Sequence, residues 1–402
     1  MNSPPRVAFF TDTYDEINGV ALTSRQLDAF ARRRGYPFLC VRGSVGDEPN
    51  TLNRDRTLIL RRGPLSFGLD RGLMHDPFLW RHYAQVYGAV RRFRPDVIHV
   101  VSPGDVSGIG ATIALAMKIP LVISWHTNLH EFGEMRLRRA LRKFPEPACN
   151  AICRLSKSLM LSIEVGFYRF GNLLFAPNQE LIDLLIQRTG RPTRLMTRGI
   201  DPHAFHPSKR RVSDGVFRMG FVGRITPEKN VRLIANVEQA LLARGLKNFR
   251  FLIVGDGSDR EWLSRNLRHA DLPGILRGEE LAAAYADMDL FLFPSRTDTF
   301  GNVVQEAMAS GTPSIVTDAG GPKFIVRDGI SGCVAHSDGE FVEHAVELML
   351  DRERLSRMRD AGLEQVANAS WDQVFEDVYA GYLAAVREPG SVLPAAHFAA
   401  SS

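Results

Sequence analysis

Short, continuously apolar runs punctuate the first half of the chain, at residues 6–12, 37–43, 57–63, 96–103, 119–127 and 172–178. They are rich in β-branched residues, the pattern of parallel strands covered on both faces. Between them, residues 22–34 and 80–93 carry apolar positions at helical spacing. The alternation restarts after Pro207, with strands expected at 217–224, 249–255, 289–294 and 312–318, and helices at 231–244, 259–270, 302–309 and 340–350. Strand–helix alternation implies a doubly wound α/β sheet, and the restart implies two. The stretch 201–213, rich in His, Pro and basic residues, reads as their connection. The expected organisation is therefore one Rossmann-like domain at 1–205 and a second at 206–370. An amphipathic helix at 371–387 packs back on the first, and a Pro-, Gly-, Ser- and Ala-rich tail at 388–402 is disordered. In open α/β sheets ligands sit beyond the carboxyl ends of the strands. Two such domains facing each other make a cleft, so the informative residues are those just after strands.

A chain of 402 residues suits two domains, and 45% hydrophobic with 24% charged residues is ordinary globular composition. No apolar run reaches the ~18 residues of a membrane-spanning helix. The opening Met1-Asn2-Ser3-Pro4-Pro5-Arg6 lacks the apolar stretch of a signal peptide, so a cytoplasmic protein is expected. The four cysteines, Cys40, Cys149, Cys153 and Cys333, are too few and scattered for a disulfide framework. No His or Cys pair near Cys149 and Cys153 completes a zinc set, so no metal is expected. The net charge of +5 is uneven: residues 1–207 hold 28 Lys+Arg against 18 Asp+Glu, and the remainder 22 against 27. A basic first half favours phosphate, nucleic acid or an anionic bilayer, or is simply a solvated surface.

Several post-strand segments carry candidate chemistry. In Val222-Gly223-Arg224-Ile225-Thr226-Pro227-Glu228-Lys229, Arg224 offers a planar fork and Lys229 a mobile point charge, a combination suited to a diphosphate. A surface loop with two basic residues is the plainer alternative. In the segment 294–307, Asp298 falls in the loop and Glu306 eight residues on, on a helix. Gly301 permits close backbone approach at that helix N-terminus, where free amides face a polyol or phosphate. Asp298 as a cap and Glu306 as a solvated residue is the competing reading. Asn18-Gly19 is a turn opening a helix, and no G-x-G-x-x-G dinucleotide fingerprint occurs. His126, in Ser124-Trp125-His126-Thr127-Asn128, ends a strand and is placed either to bond a substrate hydroxyl or as a structural residue. The turn Val254-Gly255-Asp256-Gly257-Ser258 and the segment 276–281 are candidates for lining a nucleobase pocket.

Together these segments resemble the retaining glycosyltransferases of the group 1 family, which have the GT-B architecture of two Rossmann-like domains facing across a cleft. The spacing of Asp298 and Glu306 matches the family's E-x7-E motif, with Asp in first place. Phe300-Gly301-Asn302, Glu306-Ala307-Met308-Ala309-Ser310-Gly311-Thr312-Pro313, Arg198-Gly199-Ile200-Asp201 and Gly320-Gly321-Pro322 follow its pattern. The resemblance covers nearly the whole chain. It implies that Arg224 and Lys229 bind the donor diphosphate and Glu306 the nucleoside ribose. Asp298, with the amides of Phe300, Gly301, Asn302 and Val303, would hold the transferred sugar. Gly19 would lie near the β-phosphate and His126 near the sugar's reacting face. It also implies metal-independent transfer with retention, no cofactor, and a GDP-mannose or UDP-hexose donor as substrate.

The opening segment, Ser102-Pro103-Gly104 and Trp125-His126-Thr127 look most like members that glycosylate lipids, including sulfoquinovosyl- and mannosyl-type enzymes. Arg136, Arg138, Arg139, Arg142 and Lys143 belong to a basic amphipathic stretch with Met135, Leu137, Leu141 and Phe144. On an anionic bilayer each cation is worth ~1 kcal/mol, so peripheral docking on the inner face of a membrane is one expectation and an ordinary surface helix the other. A nucleotide-sugar epimerase of the same architecture would lack the Arg/Lys pair and the carboxylate spacing. A nicotinamide oxidoreductase would need the absent glycine fingerprint. A non-catalytic nucleotide binder remains as an alternative, but no nucleic-acid motif is present and no nucleic-acid partner is expected.

Overall fold

The structure is a computed structural model and describes residues 3–16, 18–44, 56–70, 73–141 and 144–387. The expected tail at 388–402, together with Arg142 and Lys143, lies outside the described residues. The chain forms two compact units, Met1–Thr197 with Asp372–Ser402, and Arg198–Trp371.

The strands of the first unit are β1 (Val7–Thr11), β2 (Phe38–Gly43), β3 (Thr57–Leu60), β4 (Phe67–Asp70), β5 (Leu73–His75), β6 (Val97–Val101), β7 (Leu121–Ser124), β8 (Leu173–Ala176) and β9 (Thr193–Leu195). Its helices are α1 (Gly19–Arg33), α2 (Tyr83–Phe93), α3 (Asp105–Met117), α4 (Leu129–Ala140), α5 (Glu146–Tyr168) and α6 (Gln179–Thr189). Among the described residues, seven strands form a parallel sheet in the order β3-β2-β1-β6-β7-β8-β9, while β4 and β5 pair as a separate antiparallel hairpin. Every residue of β1 is buried, as a central strand covered on both faces requires. Helix α1 begins where the Asn18 side chain accepts a hydrogen bond from the Ala21 amide, and it ends with Arg32 and Arg33 at its negative pole.

The second unit contains β10 (Phe217–Val222), β11 (Phe249–Val254), β12 (Ala270–Gly274), β13 (Leu290–Phe293), β14 (Ser314–Thr317) and β15 (Gly332–Ala335). Its helices are α7 (Leu233–Ala243), α8 (Arg260–Asn266), α9 (Gly278–Asp287), α10 (Asn302–Ala309), α11 (Asp338–Leu350) and α12 (Arg352–Val366). The sheet is parallel in the order β12-β11-β10-β13-β14-β15. Two strands were not expected there, β12 and β15, and both are edges. Strand β12 contains Pro273 and Gly274 and is only half-buried, so it lacks the apolar run that marks a central strand. It also truncates the helix expected at 259–270, which stops at Asn266.

The division between units falls at Thr197/Arg198, before the 201–213 stretch rather than within it. Ile200 pairs with Ser370 and donates its amide to Ala369 at 2.7 Å. The Arg211 and Val212 amides donate to Asp287 at 2.7 and 2.9 Å, and Arg210 pairs with Asp289 at 3.0 Å. Residues 201–213 are thereby tied to the second unit and are not a bare connection. The last helix, α13 (Trp371–Arg387), lays Phe375 on Phe30 at 5.6 Å and Tyr379 on Tyr36 at 4.8 Å between ring centroids, so from Asp372 onward it belongs to the first unit.

Candidate functional site

In the second sheet, chain order runs from β10 outward to β12 on one side and from β13 outward to β15 on the other. Strands β10 and β13 are neighbours at the point of reversal, where loops leaving the strand ends diverge and leave room for a ligand. The loop after β10 carries Arg224 and a short 3-10 turn, Pro227–Lys229. The loop after β13 carries Asp298 into α10. The two loops meet where Lys229 Nζ donates to Asp298 Oδ1 at 2.6 Å and Oδ2 at 2.7 Å. The Lys229 side chain is only 12% exposed. Burial alone would push the Asp298 carboxyl up, but the Lys229 charge and hydrogen bonds outweigh it and hold the group below its usual range. Arg224 is more open, at 37% exposure, and stands 3.6 Å from Glu228.

Glycines make this meeting possible. The backbone of Gly255 packs so close to Gly223 that an added Cβ would lie 1.9 Å from the Gly223 carbonyl oxygen, and one on Gly257 would lie 2.2 Å from that of Ile225. The turn first read as a nucleobase candidate therefore buttresses the loop that carries Arg224. A Cβ on Gly321 would lie 2.1 Å from the Thr299 carbonyl oxygen, and the Gly321 amide donates to the Asp298 carbonyl at 2.6 Å. The Gly320-Gly321-Pro322 segment thus clamps the Asp298 loop from outside. Gly301 takes φ +100°, a left-handed conformation natural to glycine, and opens α10. The first-turn amides of Asn302 and Val303 have no intrahelical acceptors, so this end is a natural anion or hydroxyl site.

Glu306 sits one turn into α10 and accepts a hydrogen bond from the Tyr285 hydroxyl at 2.7 Å. Burial pushes its carboxyl above the usual range, and the Tyr285 bond opposes that only in part. Phe300 packs beneath the Arg198 guanidinium at 5.6 Å, and burial pulls Arg198 down to about 10. Sequence reasoning missed Tyr285 altogether, because it lies inside an unremarkable alanine-rich helix. Arg198 was quoted in a motif without a role; its aromatic partner is about a hundred residues away in sequence and had no local signal.

In the first unit the switch point lies between β1 and β6. Asp12, just after β1, accepts from the Val106 amide at 2.8 Å and the Ser107 hydroxyl at 2.8 Å, tying that loop to the start of α3. Gly104 allows this approach, since a Cβ there would lie 2.1 Å from Asp12 Oδ2. Gly19 is the first residue of α1, behind the Asn18 cap. His126 is buried just beyond β7, with Nε2 2.7 Å from Ser124 Oγ.

The basic stretch 135–144 is not one helix. Helix α4 ends at Ala140 and Pro145 precedes α5, so Leu141 and Phe144 lie in the break. Arg136 is exposed, while Arg138 bonds Glu134 at 3.2 Å and Asn150 at 2.7 Å; the Arg139 side chain lies outside the described residues. Lys157 also reaches Glu134, at 3.3 Å, so part of the positive charge is neutralised locally. The larger apolar feature is on α5, where Ile152, Leu155, Leu159 and Ile163 are all exposed. Their spacing of three and four residues places them on one helix face, a periodicity present in the sequence but not singled out there.

The family described as "Glycosyl transferases group 1" matches residues 216–351, and "Glycosyltransferase Family 4" matches residues 17–204. A GDP-mannose-dependent alpha-mannosyltransferase of Mycolicibacterium smegmatis is 33% identical over 94% of this chain and 96% of its own length. Sulfoquinovosyl transferase SQD2 of Arabidopsis thaliana is 30% identical over 92% of this chain and 72% of its own length. Among solved structures, sucrose-phosphate synthase from Thermosynechococcus elongatus superposes with a TM-score of 0.70 at 16% identity, covering 95% of this chain and all (100%) of its own. Anabaena HepE, solved with UDP and glucose, gives 0.65 at 17% identity over 94% of this chain and 99% of its own. The two Rossmann-like units are those of the GT-B fold, and the chain belongs to the group 1 glycosyltransferases.

Proposed function

We propose that the protein transfers a hexose, with retention and without a metal ion, from a nucleotide-diphosphate sugar to a membrane lipid or lipid-linked glycan. The observation that carries this reading is the contact of Lys229 with Asp298 where β10 and β13 diverge, beside the first turn of α10. An ammonium has three N–H bonds. Two serve Asp298, and the third is assigned, with Arg224, to the donor diphosphate. Asp298 and the amides of Phe300, Gly301, Asn302 and Val303 are assigned to the sugar, and Glu306, steadied by Tyr285, to the ribose diol. From the first unit, Gly19 is assigned to the β-phosphate and His126 to the sugar. In the step, the anomeric carbon–phosphate bond breaks as the bond to the acceptor oxygen forms on the same face, and the acceptor proton passes to the departing phosphate. Fixed cations and dipoles aimed at that charge lower the barrier.

The mannosyltransferase relatives support GDP-mannose as donor, with UDP-hexose as the other arm of the test. The names "sulfoquinovosyl transferase" and "alpha-monoglucosyldiacylglycerol synthase" among the relatives support a lipid acceptor. Among the described residues no helix is long and apolar enough to cross a membrane. The exposed face of α5, with Arg154 exposed on the same helix and Arg136 exposed on α4, supports peripheral docking on an anionic bilayer instead. The test is incubation with radiolabelled GDP-mannose and UDP-hexoses, with and without a lipid extract, in the presence of a chelator. A glycolipid whose anomeric configuration matches the donor is the expected product. No nucleotide release from any sugar donor would overturn the reading. For docking, Leu155→Asn with Leu159→Asn should abolish flotation with anionic vesicles; unchanged flotation would refute the α5 contact.

A further inference from the structure

The reaction gives His126 a role but leaves its protonation pattern open. Behind it lies a closed chain of buried groups. Tyr382 Oη on α13 is 2.7 Å from His99 Nδ1 on β6. His99 Nε2 is 2.9 Å from Ser124 Oγ at the end of β7, and Ser124 Oγ is 2.7 Å from His126 Nε2. His99, Ser124 and Tyr382 are essentially inaccessible, and His126 is nearly so.

The direction of the chain follows from counting protons. Burial pulls His99 down to about 3, so it is neutral and has one N–H. Burial holds Tyr382 well above its usual range, so its hydroxyl keeps its proton. Ser124 has one proton and stands between two imidazole nitrogens. Among the described residues, Tyr382 has no hydrogen-bond partner except His99. If Tyr382 donates to His99 Nδ1, then His99 Nε2–H donates to Ser124 Oγ, and Ser124 donates to His126 Nε2. The protons of Tyr382, His99 and Ser124 are then all used. In the opposite direction His99 donates to Tyr382, whose own O–H is left buried without an acceptor, a costly arrangement.

We propose that Tyr382, His99 and Ser124 act as positioning residues that fix His126 as the Nδ1–H tautomer. Nε2 is then held as an acceptor inside the chain, and Nδ1 carries the proton at the strand end. His126 thus enters the proposed reaction as a neutral imidazole protonated on Nδ1, and not as a base acting through Nε2. The value of this for transfer rests on the proposed role of His126; the tautomer itself does not.

The test is nitrogen NMR of the histidine-labelled full chain at neutral pH without donor, with His126→Gln used to assign the His126 signals. The expected result is a pyrrole-type Nδ1 and a pyridine-type Nε2. A pyrrole-type Nε2, or an imidazolium, would overturn the proposal. Tyr382→Phe keeps the ring but removes the donor. It should let the second tautomer appear and lower kcat about tenfold, with the KM for donor nearly unchanged. An unaltered His126 spectrum and kcat in that variant would overturn the part played by Tyr382 and His99. Ser124→Ala, which cuts the last link, should give mixed tautomers whatever stands behind it; a single Nδ1–H form there would sink the relay. Absence of any sugar transfer by the wild type would strike the assigned reaction alone, because the tautomer is read without substrate.

Discussion

At the scale of single residues, two carboxylates on one structural motif are driven in opposite directions. Asp298 is held below its usual range by Lys229, and Glu306 is lifted above it by burial. The depressed Asp298 contributes stability that is present above the unfolded carboxylate value of ~3.9 and lost as the pH falls through its lower folded value. Lys229→Ala removes the cause, so the carboxyl climbs towards or past its unfolded value, and the stability that Asp298 contributes above the carboxylate range, with its loss on acidification, should shrink or vanish. The same variant should lose about 10²–10³-fold in kcat/KM. Urea unfolding between about pH 3 and 6 and donor kinetics at neutral pH read the two effects. Wild-type kinetics in this variant would remove Lys229 from the reaction. Glu306 carries the reverse sign. Its folded value lies above its unfolded one, so ionisation costs stability, beginning as the pH rises past the unfolded value and complete above the folded one. Glu306→Gln can still accept from Tyr285 and carries no charge, so it should unfold no earlier than wild type at pH 7. It should nonetheless raise the donor KM about tenfold or more, because a hydrogen bond to a charged group is worth roughly 1.5–3 kcal/mol. A lower unfolding midpoint would show that the charge is compensated by something other than Tyr285.

At the scale of elements, the site depends on backbone fit as much as on side chains. Gly321→Ala has φ free of the left-handed region, so its effect isolates the clash with the Thr299 carbonyl. Overpacking of this kind costs about 1–3 kcal/mol. The Asp298 loop is the part forced to move, so kcat/KM should fall further than the thermal midpoint suggests. Normal activity would mean that Pro322 and its neighbours shift in place of the loop. Central strands such as β1, β10 and β13 were legible because burial on both faces demands unbroken apolar runs. Strands β9 and β12 were not, because short edge strands need no such run, and β15, though fully buried, offers only Gly332-Cys333-Val334-Ala335 as its run. The carboxylate and cation positions were legible through spacing and strand-end placement. Tyr285, Arg198 and the glycine buttress at Gly255 were not, since each acts through a partner distant in sequence. The partners of the basic stretch before α5 were legible only in part. Its charge was visible, and so was Glu134 four residues before Arg138, but Asn150 and Lys157, which join that pair, are brought there only when α4 packs against α5.

At the scale of the whole molecule, the chain enters the second unit after Thr197 and returns to the first at Asp372. The first unit therefore cannot complete its core until its final helix has been made, although most of its sheet is synthesised first. Helix α13 supplies Phe375, fully buried against Phe30, and Tyr382, which faces His99 across the edge of its ring. Without that helix Phe30, Tyr36 and the His99 relay would lose their cover, and a buried imidazole would meet water. Phe375→Ala should accordingly cost about 3–5 kcal/mol, and the loss should be local to the unit that owns the contact. Amide hydrogen exchange can resolve this, since cooperative units open with their own free energies. Protection in α1, β1 and β6 should drop sharply, while β10 and β13 keep theirs. Equal loss in both sets would mean that the two units open together, and that α13 secures the whole chain and not only the sheet it covers.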